Sequence, residues 1–522
     1  MTGRNLTNLP VGWAAAPLAE IASINPRLDK TEINDELEVS FIPMASVEAA
    51  TGRIDLREIR QLRNVKKGYT PFQEGDILFA KITPCMENGK IAVVPALKNG
   101  IGFGSTEFHV LRPCRGIDAL YIYYFLSTQR FRHDAERNMA GAVGQQRVPT
   151  RYLAKHIIPV PPAREQSRIV TKIEEFLSKF EYGVKCLEAA QVQLKVYRQA
   201  ILNSAFLGEL TSHWRKQNGD KLHNADRLIA RIADERDALY EAQLARWTSA
   251  LSGWENSGRR GKRPVKPKRQ RDVRPLDQGT LSELPKLPVN WTWIKLGQLT
   301  WSVKDGPHYS PKYADQGIPF ISGGNVRPDG VDFSTAKFIS KELHDELCER
   351  CRPEIGDILY TKGGTTGIAR VNTYEIEFNV WVHVAILKIT KSIEPFFLQH
   401  GLNAPFSYVQ AQRFTHGVGN QDLGLTRLVN IILPFCGTEE QRAVVSEVER
   451  LTSEIDYLEN IIDTELRKAE SLRQSVLKKA FEGKLVSQEP SDEPASVLLE
   501  RIKRAMPVTE NGKRKTARKD AA

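Results

Sequence analysis

Residues 199–210 read QAILNSAFLGEL and residues 474–485 read QSVLKKAFEGKL. Each stretch closes an amphipathic run on a glycine, the residue that accepts the left-handed conformation with which helices end. One such ending is ordinary; two on one pattern point to a chain written twice. Working outward, residues 143–210 align with residues 418–485 at a constant offset of 275, without a gap. Val143-Gly144-Gln145-Gln146 meets Val418-Gly419-Asn420-Gln421, and Glu165-Gln166 meets Glu440-Gln441. Phe206 and Gly208 meet Phe481 and Gly483. Farther upstream LPVGW at 9–13 is answered by LPVNW at 287–291, and GDILFAK at 75–81 by GDILYTK at 356–362. Downstream, ADRLIARI at 225–232 resembles ASVLLERI at 495–502.

Each half therefore joins a variable mixed segment to a long helix. In the first copy Ile169, Ile173, Phe176, Phe180, Gly183, Leu187, Ala190, Leu194, Tyr197 and Ile201 step alternately by four and three. The second copy keeps the frame with Val444, Val448, Leu451, Ile455, Leu458, Ile462, Glu465, Ala469, Leu472 and Val476. Such steps line one seam of a helix, the heptad pattern of coiled coils, in which Gly183 and Glu465 are weak points. Each helix has roughly 40 residues, hence a length of about 60 Å. A helix with one apolar stripe must cover it. An equally long partner lies in the same chain, so the two are expected to pair antiparallel, with a domain at either end and a pseudo-twofold axis between. The competing arrangement is that each seam recruits another subunit.

The variable segments mix short β-like runs with one helical stretch each. The runs are ILFAKI, KIAVV and FHVLR in the first copy, and ILYTK, IARV and VAILKI in the second. The helical stretches are Ala119 to Arg137 and Pro395 to Phe414.

At 522 residues the chain exceeds one core. Its composition, 41% hydrophobic and 26% charged, is that of a soluble globular protein, with no apolar run of membrane-spanning or signal-peptide length, so a cytosolic chain without a membrane partner is expected. Six sparse cysteines argue for a reducing compartment. Cys348 and Cys351 form a lone CxxC with no second pair, better read as two cysteines on a helix than as a zinc site. The net charge of +11 is concentrated: RRGKRPVKPKRQRDVR at 259–274 carries +8, the stretch 511–522 carries +4, and the remainder sums to −1. Both basic stretches read as a linker and a tail. Any DNA-binding face elsewhere must be local.

Catalytic motifs do not assemble. Gly89-Lys90-Ile91 lacks the rest of a P-loop, and Phe103-Gly104-Ser105 and Gly363-Gly364-Thr365-Thr366-Gly367 read as turns or strand ends. There is no HExxH, GxSxG or double CxxC, nor the Asn-Pro-Pro-aromatic tetrapeptide of amino-methylating enzymes. Glu482-Gly483-Lys484 sits at a predicted helix end, where a glycine cap explains it.

Two unlike domains, two repeated coiled-coil helices and no catalytic apparatus resemble the specificity subunit of type I restriction-modification systems. The carriers are the LPVGW and LPVNW openings, GDILFAKITPCMENGKIAVV, PPAREQSRIV and GTEEQRAVV at the helix starts, and the QAILNSAFLGEL and QSVLKKAFEGKL endings. The resemblance implies an α+β fold: two mixed α/β target-recognition domains separated by an antiparallel coiled coil of two long helices, a pseudo-twofold internal repeat. The expected boundaries are residues 1–160 for the first recognition domain, 161–211 for the first spacer helix, 212–284 for a helical and basic linker, 285–436 for the second recognition domain, 437–486 for the second spacer helix, and 487–522 for a C-terminal helix and basic tail. The resemblance further implies double-stranded DNA as ligand and two methyltransferase (M) subunits docked on the helices, with restriction/translocase (R) subunits completing the complex. S-adenosylmethionine and ATP belong to those partners, leaving this chain without a cofactor or metal and non-catalytic. The long insertion at 212–284 and the basic tail depart from the minimal family pattern.

Unlike sequences in the two variable segments predict unlike half-sites. Polar loop residues beside glycine are the candidates for DNA contact: Lys81, Thr83, Asn88 and Lys90 in the first domain, and Ser322, Asn325, Lys362, Thr365 and Thr366 in the second. The plainer alternative is that each caps or solvates a turn. Gln145, Gln146, Asn420 and Gln421 recur in both copies, which suggests a shared structural or backbone role. A second functional class stays open here, a coiled-coil protein-interaction scaffold that never touches DNA; a self-sufficient methyltransferase or nuclease would need motifs that are missing.

Overall fold

The computed structural model describes residues 9–29, 33–49, 51–142, 144–416 and 422–505. The chain divides into two units, Met1–Glu188 with Asp463–Ala522, and Ala189–Ile462, so each unit joins one variable segment to portions of both long helices.

In the first unit the GDILFAK run forms the strand Ile77–Ala80, inside a four-stranded antiparallel sheet ordered Ala22–Ile24, Phe108–Pro113, Ile77–Ala80, Ile91–Val93. Side chains alternate across a strand, and here both faces are covered. Ile77 and Phe79 enter a core with Tyr121 and Ile122, while Leu78 and Ala80 enter another with Phe72 and Val110. The continuous apolar run follows from that double burial. A second sheet is ordered Ile59–Gln61, Glu38–Ile42, Ile101–Gly104, Thr70–Gln73, with its two central strands parallel. An antiparallel ribbon of Ala14–Pro17 and Ile157–Val160 closes the segment beside the helix start.

The second unit repeats the plan. Its four-stranded sheet is ordered Thr300–Asp305, Val384–Ile389, Ile358–Thr361, Ala369–Val371, with Ile358 and Tyr360 facing one core and Leu359 another. Lys337–Ile339, Ile318–Ile321 and Asn379–Val380 form a three-stranded sheet, and Thr292–Lys295 pairs with Ile432–Phe435 as the closing ribbon. Both predicted helical stretches break once, into Ala119–Ser127 and Gln129–Arg137, and into Pro395–Asn403 and Pro405–Phe414. Thr128 caps the following helix by accepting from Phe131 N, and Ala404 is extended because a proline follows it.

The long helices are Ala163–Phe206 and Thr438–Phe481, 44 residues each. In the first unit Ile169 and Ile173 share a core with Val476, Leu477 and Ala480; in the second, Ile201, Leu202 and Ala205 share one with Val444, Val448 and Ile455. Within each unit the beginning of one helix thus lies with the end of the other, an antiparallel arrangement. Ile462 is also buried, and Phe176, Phe180, Leu187, Leu194 and Leu451 are half-buried.

The seam is corrected at five positions: Leu458 and Leu472 are 45% and 50% exposed, and Gly183, Tyr197 and Glu465 are exposed as well. Every seventh position holds, through Ile455, Ile462, Ala469 and Val476, but the position between falls one residue later, on Glu459, Leu466 and Arg473. Likewise Val184 and Arg198 are half-buried where Gly183 and Tyr197 are exposed. Long polar side chains occupy the seam by burying their stems and keeping their heads in water; Arg198 reaches Glu459 at 3.2 Å and also pairs with Asp456.

The helix endings repeat for a reason visible in each unit. Gly208 and Gly483 have φ of +76° and +66°. The N–H of the next residue bonds back five residues, Glu209 to Ser204 O at 2.9 Å and Lys484 to Lys479 O at 2.8 Å, a Schellman closure. A side chain on Gly208 would strike Pro288 of LPVNW, and one on Gly483 would strike Pro10 of LPVGW. Each copy's helix therefore ends against the opening of the other copy. The segments that follow behave alike: Ala225, Leu228 and Ile232 enter the second unit's core, and Ala495, Leu498 and Ile502 the first's. Gln166 and Gln441 lock the helix starts identically. Their Oε1 atoms accept from Asp118 N and Glu394 N at 2.9 and 3.0 Å, and their Nε2 atoms donate to Pro161 O and Cys436 O.

Candidate nucleic-acid interface

Loops at one end of each four-stranded sheet converge. In the first domain the strand Ile77–Ala80 runs out into Lys81, whose carbonyl accepts from Val148 N at 2.8 Å. Thr83 N and Oγ1 both donate to Gln146 O, at 3.1 and 3.0 Å. In the first copy Gln146 thus acts through its backbone; Val143 and Val418 to Gln421, on which the role shared between the copies depends, lie outside the described residues. Arg147 grips Glu107 with two bonds of 2.9 and 2.8 Å, which holds that carboxyl below its usual range. His109, buried and with its pKa lowered by burial, places Nε2 2.8 Å from Val148 O and Nδ1 3.3 Å from Asn25 Nδ2. The turn at Asn25 and the loops 81–90, 105–109 and 140–148 are thus tied together.

In the second domain Leu423 N donates to Lys362 O, again at 2.8 Å. Here the side chains form a charged knot. Lys362, 2% exposed, places Nζ 2.9 Å from Asp422 Oδ1 and 3.3 Å from Asp305 Oδ2. Asp305, equally buried, also receives Arg350 Nη2 at 2.7 Å and His308 Nε2 at 3.3 Å. Beside it, Asn325 Oδ1 accepts from Ser322 N and Oγ at 2.8 and 3.0 Å, and its Nδ2 donates to Asp332 O and Thr335 Oγ1.

These placements sort the candidates. Asn88 and Thr365 are exposed at loop tips. Lys81, Thr83, Lys90 and Ser322 are half-buried, and their polar atoms serve neighbouring groups: Lys81 Nζ bonds Thr106 O at 2.7 Å and Lys90 Nζ bonds Met44 O at 2.9 Å. Lys362, Asn325 and Thr366 are buried; Lys362 and Asn325 spend their polar atoms on neighbouring loop residues, whereas the Thr366 hydroxyl has no partner among the described residues. The sequence reading passed over Asn25, Glu107, His109, Arg147, Asp305, Arg350 and Asp422. One signal was available, since Asn25-Pro26 and Asp305-Gly306-Pro307 are turn-forming sequences, the first directly after the strand Ala22–Ile24 and the second at the end of Thr300–Asp305. They leave His308 and Tyr309 exposed. Cys348 and Cys351 are free thiols; Cys348 Sγ is 3.6 Å from His344 Nε2, and burial pushes the Cys351 thiol up to about 12. Among the described residues no helix is long and apolar enough to cross a membrane.

The family described as Type I restriction modification DNA specificity domain matches this chain twice, at residues 10–186 and 288–466. The type I restriction enzyme EcoAI specificity subunit of Escherichia coli is 27% identical over 477 residues, spanning 87% of this chain and 80% of its own. The EcoEI specificity subunit of Escherichia coli is 31% identical over 379 residues, 68% of this chain and 62% of its own. Among solved structures, a chain from work on complex assembly and conformational transition of the type I R-M system aligns with a TM-score of 0.64, covering 91% of this chain and 99% of that one; at 18% identity the likeness is one of fold.

Proposed function

Because the chain belongs to the family of type I restriction modification DNA specificity domains, we propose that its two domains read two different words of one asymmetric, bipartite site in duplex DNA. DNA sequence specificity within a type I restriction-modification system is its function. The observation that carries the bipartite reading is the pair of loop clusters: one framework of backbone bonds, two unlike sets of side chains. Bases are distinguished by short hydrogen bonds to their edges, whereas phosphate contacts set register. Asn88 in the first domain, and Thr365, His308 and Tyr309 in the second, are the residues we assign to such bonds, and their exposure at the loop clusters supports the assignment. The long helices serve as spacer and as platform for two methyltransferase subunits, joined by restriction/translocase subunits. Those partners carry S-adenosylmethionine, ATP and the chemistry, in the cytoplasm, and this chain acts without a cofactor of its own. A scaffold that never touches DNA finds no support in a family defined by DNA specificity.

The test is to express the chain with its methyltransferase partner and map methylated adenines across a genome. Two unlike words at a fixed gap are expected; a single unbroken or palindromic word overturns the reading. Inserting one heptad in both long helices adds about 10 Å, or roughly three base pairs at about 3.4 Å each. The words should then persist with a wider gap. An unchanged gap removes the helices as the ruler.

A further inference from the structure

The basic stretch 259–274 is not a loose connector. After the helix Ala225–Asn256 the chain turns back along it, and every third residue from Pro264 to Val273 is half-buried, Pro264, Pro267, Gln270 and Val273, while those between are exposed. A period of three is that of a polyproline II helix, in which two of three rows of side chains face outward. Pins on the inner row and its neighbours are explicit. Trp254 Nε1 donates to Gly261 O and Trp247 Nε1 to Pro264 O, both at 3.1 Å. Gln270 Nε2 bonds Thr300 Oγ1 at 3.0 Å, Arg269 pairs with Asp237, and Asp272 with Arg236.

The outer rows are almost wholly cationic. Of nine basic residues, Lys262 and Arg269 are in ion pairs, and Arg259 and Lys266 lie over the rings of Trp254 and Trp247. The other five, Arg260, Arg263, Lys268, Arg271 and Arg274, are exposed and engage no acid among the described residues. Lys268, Arg271 and Arg274 share one row, at about 9 Å per turn. The strap also has a direction within its unit. Near its start Lys262 holds Glu349, the neighbour of Arg350, which bonds Asp305 in the loop cluster. Farther on, Gln270 holds Thr300, at the opposite end of the strand Thr300–Asp305.

We infer that this strap is a second, sequence-independent DNA contact: a rail of five cations that neutralises backbone phosphates beside the word read by the second domain. The inference rests on the function proposed above. An extended backbone pinned on one side keeps its cations outward at little further entropy cost, unlike a free tail. The exposed rows hold a single acid, Asp272, which is itself paired, and nothing in them discriminates a particular partner. That composition suits a uniform line of negative charge.

The test uses the full chain assembled with its methyltransferase subunits, measuring affinity for a cognate and a scrambled duplex against salt. The fivefold variant R260Q/R263Q/K268Q/R271Q/R274Q should make the slope of log K on log salt shallower by roughly four, at about 0.9 per phosphate contact. Affinity should fall alike on both duplexes, with the methylated motif unchanged. A charge-keeping variant, R260K/R263K/R271K/R274K, should retain the wild-type slope. An unchanged slope in the glutamine variant, with cognate preference intact, overturns the rail and leaves the proposed function standing. Weakened assembly with the methyltransferase at an unchanged slope also overturns it, by making the strap a protein-docking element. If the wild-type complex shows no cognate preference, the functional reading falls and takes the rail with it.

Discussion

In the first domain Val148 donates to the carbonyl of Lys81, and in the second Leu423 donates to that of Lys362, at 2.8 Å in both. Beside this shared bond the side chains have opposite charge. Arg147 pairs with Glu107 in one, whereas Asp422, aligned with Arg147 in the repeat, pairs with Lys362 in the other. The first pair is partly exposed, with side chains 41% and 27% accessible; in the second Asp422 is 37% accessible but lies over Lys362 and Asp305, each 2% accessible. A backbone bond is indifferent to the side chain it passes, so the loops hold their register while the groups between them diverge. For a protein that must read two words, this separates the part that positions from the part that discriminates.

The comparison breaks most visibly at the two lysines. Substituting Lys362→Met removes one cationic partner from buried Asp305, which keeps Arg350 and His308, and also takes the cation from Asp422; losing such a charged bond costs roughly 2–3 kcal/mol. Lys81→Met loses one half-exposed bond to a carbonyl, worth about 1 kcal/mol. Thermal melting with hydrogen exchange resolved by unit should show the loss confined to Ala189–Ile462 for the first variant and a small change for the second. Equal losses would mean that the charged knot is no more structural than its neutral counterpart.

Where the halves are alike, the effects should be alike. Gly208→Ala and Gly483→Ala each force a side chain into the left-handed region and onto a proline ring, for a cost of about 2 kcal/mol apiece. Each loss should appear in the unit where that glycine meets its proline, Pro288 or Pro10. A large difference between the two would mean that one ending is merely a helix cap while the other is also a docking point.

The fold was legible because repetition is robust to local error. All six β-like runs are strands, the glycine endings are Schellman closures, and the downstream octapeptides pack as one motif. Glycine beside a polar residue, however, marks a turn without saying whether the polar atom points out or serves the turn. Asn325, spent on Ser322, Asp332 and Thr335, shows the second outcome and Asn88 the first. The knot of Asp305, Lys362 and Asp422 joins residues far apart in sequence, and no local pattern announces such a pairing. In the helices the apolar periodicity was right at every seventh residue and at the intervening Ile169, Phe176, Ala190, Val444 and Leu451, and it slipped toward the middle, where the seam takes Arg198 and Glu459 in preference to the adjacent Tyr197 and Leu458.

That last discrepancy gives the smallest predicted effect. If apolarity alone chose the seam, Leu458→Ser would cost as much as any core truncation. With Leu458 45% exposed, the loss should stay within about 0.5 kcal/mol, as for surface substitutions in general. Ile455→Ser, one turn earlier at 1% exposure, removes a buried side chain and buries a hydroxyl, and should cost about 3 kcal/mol. Leu472→Ser, in the other unit and 50% exposed, should repeat the near-silent result. Melting of the three variants separates the alternatives, because a loss at Leu458 comparable to that at Ile455 would return the apolar residue to the seam and push Glu459, with its contact to Arg198, back to the surface.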